Sequence, residues 1–318
     1  MNIAYASDNN FVDVMLVSIM SFNDHNSDAT IYILDCGIKE QKKQKILELC
    51  SGKNAVLFVD AKKTLDGLDY ELNLDRGSLA AYARLFIGSM LPETVNKALY
   101  LDADTLIKGS LKEMYETDIS PYIVGGIRDS FSVLNKKVFG ISKGELFINS
   151  GVLLIDVDKW RNDRIEDQIY KLFSDKNHIF QGDQGVINYV FHGGCFELPI
   201  KYNVLTYLFD FSFEEMMLYR KPDNYFDKEE IKDSISSPII VHFSSSFVSC
   251  RPWKTQNDLA HPFYGEWNSY FEHINGIKRI DEKKHSKNLL LLFFAGFIHA
   301  YIRPLIYLIK DEFEGIER

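Results

Sequence analysis

The chain predicts an α/β fold whose central sheet is mostly parallel and covered by helices on both faces. Two observations carry this. Short apolar runs alternate with helix-spaced segments through the first half, and polar turns close the apolar runs. The composition agrees: of 318 residues, 46% are hydrophobic and 25% charged, enough to bury a sizeable core. That length holds one large α/β domain with an appendage, or two modest domains.

Taken in order, residues 3–6 read as a short strand, and Phe11, Val14, Met15, Ser18, Ile19 and Phe22 follow at helical spacing. Residues 30–34 read as a second strand, 40–50 as a helix and 55–59 as a third strand. A helix over 79–89 stops before Pro92, and 98–101 supplies the next strand. Beyond it, 122–127 and 152–155 read as strands and 158–173 as a helix with Asp158 at its N-cap. Residues 183–191 read as a helix, with Asp183 at its N-cap, and 239–242 as a late strand.

Net charge is −9, which disfavours nucleic acid as a partner. Cys36, Cys50, Cys195 and Cys250 are scattered with no Cys-x-x-Cys pair, which suits a reducing cytosol. The first residues carry an early Asp8 and no basic leader, unlike a secretory signal. After Trp267 the composition shifts. Lys278, Arg279, Lys283, Lys284 and Lys287 form a basic cluster, residues 289–298 are apolar, and His299, Arg303 and Pro304 interrupt the run before 305–309. A spanning helix needs about 20 apolar residues. A basic segment beside a shorter apolar helix reads instead as an attachment to the cytoplasmic membrane surface. The competing reading is a helix packed on the main domain or in a dimer interface. The domains expected are therefore 1–265 and a helical tail over 266–318.

Asp102-Ala103-Asp104 sits just past the apolar run 98–101. Carboxylates at i and i+2 point to the same side of an extended chain. Such a pair is tolerable when it is solvated or shares a cation, and the carboxyl end of a strand is where α/β folds bind ligands. The plainer reading is a polar turn. His242 also ends an apolar run, and two carboxylates with one imidazole suit Mn²⁺, with Mg²⁺ as the alternative. No Gly-x-Gly-x-x-Gly or Gly-x-x-x-x-Gly-Lys follows a strand, so a bound nucleotide would need another phosphate neutraliser. Arg251, after Ser244-Ser245-Ser246, is suited to that work. Asp8 and Asn10 either cap a helix or read a ribose or base edge, with Phe11 stacking on the ring. Arg84, inside an apolar pattern, needs an anionic partner, either a carboxylate or a ligand. Asn149-Ser150-Gly151 is a turn or a hydroxyl-binding segment.

These pieces together resemble the family-8 retaining glycosyltransferases, the group that includes glycogenin and bacterial lipopolysaccharide galactosyl- and glucosyltransferases. The matching blocks are Ala6-Ser7-Asp8-Asn9-Asn10, Tyr82-Ala83-Arg84-Leu85, and Leu99-Tyr100-Leu101-Asp102-Ala103-Asp104-Thr105. Further on come Asn149-Ser150-Gly151 through Ile155 with Trp160-Arg161, Asp183 through Asn188, and His242-Phe243 with Arg251-Pro252-Trp253. They follow family order over about residues 1–255. The resemblance implies a GT-A fold with a Rossmann-like sheet, a UDP-hexose donor, a glycan, glycolipid or glycoprotein acceptor, and Mn²⁺. It implies Asp102, Asp104 and His242 as metal ligands. Ala6, Asp8, Asn10, Arg84 and Ala103 would contact the donor, with Phe11 near the uracil. Asp129, Asn149, Asp183 and Gln184 would line the sugar pocket, and Ser245 and Arg251 would meet the diphosphate. Three departures stand out: Ser245 or Ser246 occupies the region of a family glycine, Arg251 replaces a lysine, and the loop between them is a few residues longer than the family's.

Retention implies either a covalent intermediate or front-face attack. Asp183 is the nearby carboxylate for the first and Gln184 a poor nucleophile, so front-face attack is the preferred expectation. The expected activity is galactosyl transfer from UDP-galactose, with UDP-glucose as the alternative donor. A non-catalytic UDP-sugar-binding scaffold and a metal-dependent nucleotidyltransferase are the competing classes. Asp8-Asn9-Asn10 replaces the Gly-rich, basic loop that the latter would need.

Overall fold

The computed structural model describes residues 1–68, 79–176, 179–246, 248–254, 261–276 and 289–316. Among these, ten strands form two sheets. They are β1 (Asn2–Ser7), β2 (Thr30–Asp35), β3 (Ala55–Asp60), β4 (Lys97–Leu101), β5 (Thr105–Ile107), β6 (Val124–Arg128), β7 (Ile148–Asp156), β8 (Phe196–Glu197), β9 (Val204–Leu205) and β10 (Ile240–His242). The larger sheet runs β3-β2-β1-β4-β7-β6-β8 and the smaller β5-β10-β9. Strands β1 to β4 run parallel, as expected, while β7 is antiparallel to both β4 and β6. The chain travels outward from β1 to β3 and returns to the other side of β1 as β4. A topological switch point therefore lies between the carboxyl ends of β1 and β4, the place where such sheets hold ligands.

Period-two alternation divides the sheet between two cores. Ile3, Tyr5, Leu99, Leu101, Val152 and Leu154 face the layer built by Met15, Leu16, Ile19 and Phe22 of helix Val12–His25. Ala4, Ala6, Ala98, Tyr100, Leu153 and Ile155 face the layer of Leu85, Phe86, Trp160 and Ile169.

Several elements differ from the sequence expectation. The segment over 79–89 is a tighter 3₁₀ stretch, Ala80–Phe86, followed by one helical turn, Ile87–Met90. Arg84 Nε donates to the Ala81 carbonyl there, three residues back. The helix expected over 158–173 is two helices, Val157–Asn162 and Ile165–Asp175, because Arg164 adopts φ 52° between them. Its cap is Asp156, whose side chain accepts from the Lys159 amide, not Asp158. Gln181, not Asp183, occupies the cap position of helix Gly182–Phe191.

At the C-terminal end, helix Leu289–Phe297 continues through a wider π turn, Ile298–Ile302, into helix Arg303–Ile316. Pro304 has no N–H to give the Ala300 carbonyl, so that oxygen needs another donor. Ser132 Oγ supplies it at 2.9 Å, and Asn135 Nδ2 donates to the His299 carbonyl at 3.1 Å. Gly296 lets the helix approach closely, since a Cβ there would lie 2.6 Å from the Tyr219 carbonyl oxygen. No described helix is long and apolar enough to cross a membrane. The basic cluster Lys278, Arg279, Lys283, Lys284 and Lys287 lies outside the described residues.

Candidate active site

Strand pairing assembles the carboxylate–imidazole cluster. Ala103 packs into the layer of Leu99 and Leu101, so Asp102 and Asp104 project to the opposite side. Immediately after them, β5 pairs antiparallel with β10, setting Thr105 opposite His242. The Phe243 amide donates to the Asp104 carbonyl at 2.9 Å, which locks that register. His242 Nε2 then lies 3.2 Å from Asp104 Oδ1 and 3.7 Å from Asp102 Oδ2. One ligand atom from each of the three residues falls within 4.8 Å of the others.

Asn203, just before β9, fixes the imidazole. Its Oδ1 sits 2.9 Å from His242 Nδ1, and its Nδ2 donates to Asn149 Oδ1 at 2.8 Å. With its oxygen facing Nδ1, the proton belongs on Nδ1, and the Nε2 lone pair faces the carboxylates. Gly151 makes room for this arrangement. A Cβ there would lie 2.3 Å from His242 Cε1 and 2.8 Å from Asp102 Oδ2.

Arg84 has found protein carboxylates as partners. Its guanidinium is buried, with Asp102 Oδ1 at 2.6 Å and Asp183 Oδ2 at 3.2 Å, and it stacks on Tyr100. Burial would lower its pKa, but Asp102 and Asp183 more than offset that and hold it above the ordinary arginine range. Tyr100 donates to the same Asp102 oxygen, and burial keeps the phenol well above its usual pKa. Asp183 also accepts from Ser150 Oγ at 2.9 Å.

Toward the β1 end, Ala6, Asp8, Asn10 and Phe11 join Arg84, Asp102, Ala103, Asp104 and Arg251 around a cleft of about 210 Å³. Asp8 Oδ1 accepts from the Asn10 and Phe11 amides and so folds the turn that precedes helix Val12–His25, but it does not cap that helix: Phe11 holds the cap position, with no side-chain cap bond. Phe11 lies edge-on to Trp253, ring centres 5.4 Å apart. Ser245 Oγ accepts from Arg251 at 2.8 Å, and an Arg251 nitrogen lies 4.0 Å from Asp104. The loop carrying both residues is tied down by Asp210, whose carboxylate accepts from Ser246 Oγ and Ser249 Oγ. Arg251 Nε and Ser244 Oγ are buried without a hydrogen-bond partner among the described residues.

The other end of the cleft is a closed polar network. Asp129 Oδ2 accepts from Asn149 Nδ2 at 3.2 Å and Gln184 Nε2 at 3.1 Å. Gln184 Oε1 accepts from Asn149 Nδ2 at 3.0 Å and the Ser150 amide at 3.3 Å. The second Asp129 oxygen takes Tyr207 Oη and Arg220, each at 3.3 Å.

The expected residues divide between this cleft and a smaller pocket lined by Asn149, Asp183, Gln184, His242 and Ser245, which shares Asp102 and Arg251 with it, while Asp129 is buried behind Asn149 and Gln184. Asn203, Asp210, Tyr207 and Arg220 were not anticipated. Each acts on a residue 36 to 91 positions away, a distance no local pattern reveals.

Comparison with known proteins decides the family. The model described as glycosyl transferase family 8 matches residues 2–257. The chain belongs to glycosyltransferase family 8. That span holds every site residue from Ala6 to Arg251 and ends before the C-terminal helices. General stress protein A of Bacillus subtilis (strain 168) is 23% identical over 280 residues, covering 86% of this chain and 93% of its own. The lipopolysaccharide 1,2-glucosyltransferase of Escherichia coli (strain K12) is 26% identical over 259 residues, covering 80% of this chain and 72% of its own. Among solved structures, galactosyltransferase LgtC in complex with donor and acceptor sugar analogues aligns at TM-score 0.66 and 23% identity. That alignment covers 87% of this chain and 98% of LgtC. The likeness bears out the GT-A fold class, and the family-8 chain is a glycosyltransferase.

Proposed function

We propose that this family-8 enzyme moves a hexose from UDP-hexose to an acceptor hydroxyl on a glycan, glycolipid or glycoprotein, with retention and with Mn²⁺. The observation that carries the reading is the Asp102–Asp104–His242 cluster at the switch point, with the imidazole lone pair turned inward by Asn203. Galactose is the first donor sugar to test, because LgtC is a galactosyltransferase. Glucose is the alternative, favoured by the glucosyltransferase relative.

The donor set fits the ion. Two carboxylates and one neutral imidazole make a mixed oxygen–nitrogen site, which suits Mn²⁺ better than the oxygen-preferring Mg²⁺. When bound, the cation supplies Lewis-acid stabilisation of charge on the departing diphosphate. Arg84 holds Asp102 and Asp183 in place and limits their mutual repulsion. Ala6, Asp8, Asn10 and Phe11 bind the nucleoside side of the donor, with Ala103 beside them. Arg251, positioned by Ser245 and with a buried Nε that has no partner among the described residues, would meet the diphosphate and add to the stabilisation of the leaving group. Asp129, Asn149, Asp183 and Gln184 hold the sugar.

Asp183 is held to the wall of the site by one oxygen, since its Oδ2 meets both Arg84 and Ser150. Gln184 carries an amide bonded at both ends. These facts favour front-face attack: the acceptor oxygen bonds to the anomeric carbon as the C–O bond to the diphosphate breaks on the same face. The acceptor proton passes to the leaving phosphate oxygen.

The test is incubation with UDP-galactose, UDP-glucose and Mn²⁺ while UDP is measured. Slow UDP release, faster with one sugar, is expected. No release with any UDP-hexose would overturn the reading, and UTP formation from pyrophosphate would replace it with a nucleotidyltransferase.

The same proposal places the chain in the cytoplasm, on the cytoplasmic face of a membrane. Phe293, Phe294, Phe297, Tyr301, Leu305, Ile306 and Ile309 are exposed on the C-terminal helices, next in sequence to the five basic residues. Co-sedimentation with anionic vesicles, weakened but not abolished by salt, is the expected behaviour.

A further inference from the structure

The C-terminal helices reach the sugar end of the cleft through one side chain. His299, in the π turn, brings Nε2 to 3.0 Å from Arg220 NH1. Arg220 ends helix Phe213–Arg220 and is partly buried among Phe131, Tyr207 and Tyr219. Its Nε donates to Ser130 Oγ at 2.8 Å and its other terminal nitrogen to Asp129 Oδ1 at 3.3 Å. Asp129 in turn accepts from the Gln184 amide at 3.1 Å through its opposite oxygen. Every nitrogen of Arg220 is thus assigned a separate acceptor, and one of those acceptors belongs to the tail.

The imidazole is suited to accept. Burial, together with the nearby Arg220 and Arg303 charges, holds its pKa down at about 3, so it stays neutral. With Nε2 accepting, the proton sits on Nδ1, which is buried and has no partner among the described residues. A leucine would fill the space without burying an unsatisfied polar atom. What the imidazole adds to packing is therefore the acceptor it offers Arg220.

We propose that His299 is a positioning residue for the sugar pocket: through Arg220 and Asp129 it orients the Gln184 amide, so that the C-terminal helices complete the site. The proposal rests on the UDP-hexose reading above. It assigns the tail a part in turnover in addition to any part in attachment.

The test uses the full chain and compares His299→Leu, His299→Gln and His299→Asn. A glutamine places an acceptor near Nε2, whereas an asparagine places it near Nδ1. UDP release from UDP-hexose is expected to fall about tenfold in His299→Leu and His299→Asn, equivalent to about 1.4 kcal/mol in barrier. It should recover in His299→Gln. Calorimetric affinity for UDP with Mn²⁺ should stay unchanged in all three, because the effect is confined to the sugar end. Equal rates in the glutamine and asparagine variants would overturn the proposal even if the leucine variant fails to fold. So would a parallel loss of UDP affinity, which marks general disruption. If the unaltered protein turns over no UDP-hexose, the donor reading fails by itself. The contact chain is then judged by thermal melting of His299→Gln, Asp129→Asn and the double variant against His299→Leu, Asp129→Asn and its double. Strict additivity in the leucine cycle would overturn it.

Discussion

At the carboxylate end of the cleft, Asp102, Asp104 and His242 are brought together by strand register, with main-chain bonds between β5, β10 and β9 setting their spacing. At the amide end, Asp129, Asn149, Gln184 and Arg220 come from four separate segments and hold one another by side-chain bonds. A site fixed by its backbone loses chemistry when a side chain changes but keeps its shape. A site fixed by side chains responds as a unit, and its substitutions do not add. The first arrangement suits ligands that must meet an ion at set distances. The second suits recognition of a sugar hydroxyl pattern, where every donor and acceptor must already be oriented.

The largest expected effect breaks the first half of that comparison. Asp104→Asn should lower Mn²⁺-dependent UDP release by more than tenfold, a barrier increase above about 1.4 kcal/mol, with an unchanged melting temperature. Asp102→Asn should lose turnover equally and also stability, by about 1–3 kcal/mol, because it weakens the buried Arg84 pairing. Parallel UDP-release and melting measurements separate the two. If Asp104→Asn kept more than a tenth of the rate, the ligand assignment would be wrong.

Gly151→Ala probes the same centre without replacing a ligand. The new Cβ would overlap the His242 ring, so the imidazole must shift away from the carboxylates. Calorimetric titration should show Mn²⁺ affinity reduced about 10–100-fold, the scale on which disturbed supporting groups act. Unchanged affinity would mean that the ring relocates without leaving the cluster.

Arg251 stands between the two ends, on the loop pinned by Asp210. Arg251→Ala should weaken UDP binding in the presence of Mn²⁺ by about tenfold. Arg251→Lys should recover part of it, since it keeps the charge but not the paired donors. Equal affinities in all three proteins would place the diphosphate elsewhere.

How far the sequence anticipates this follows the same division. The parallel half of the sheet is legible because each of its strands is an apolar run of four residues or more, closed by a polar turn. Asp102, Asp104 and His242 are legible because each sits at the end of such a run. Strands β5, β8 and β9 span only two or three residues and have no readable period, so the small sheet that joins His242 to Asn203 goes unseen. Arg164 breaks a helix through its own positive φ, which no residue type there announces. The apolar pattern around Arg84 requires an anion for it, but pattern alone does not choose between a ligand and two aspartates. The reach of His299 to Arg220 depends on how the C-terminal helices dock, and that is a property of packing and not of local order.

A smaller, graded effect sharpens the comparison through two histidines, one behind each end. His261 packs among Phe209, Phe243 and Phe263 behind the loop that carries Arg251, and His299 lies behind Asp129. Burial pushes both down to about 3, with Arg220 and Arg303 adding to the effect at His299. An unfolded histidine titrates near 6.5, so between these values the unfolded chain binds more protons than the folded one. Stability is therefore full above about pH 6.5 and is lost as pH falls toward 3, by up to about 1.4 kcal/mol per pH unit for each group. Replacing His261 by Asn keeps an acceptor for the Phe263 amide, and replacing His299 by Gln keeps one for Arg220. Each change removes one titration. Denaturant unfolding at pH 6.5 and 4.5 should show a shallower loss in either variant and the shallowest in the double variant. The two contributions should add, because the histidines share no partner among the described residues. A slope that stays the same in His299→Gln would mean that this imidazole is already charged in the fold. Arg220 would then have no acceptor in the tail, and the amide end would be held by Ser130 and Asp129 alone.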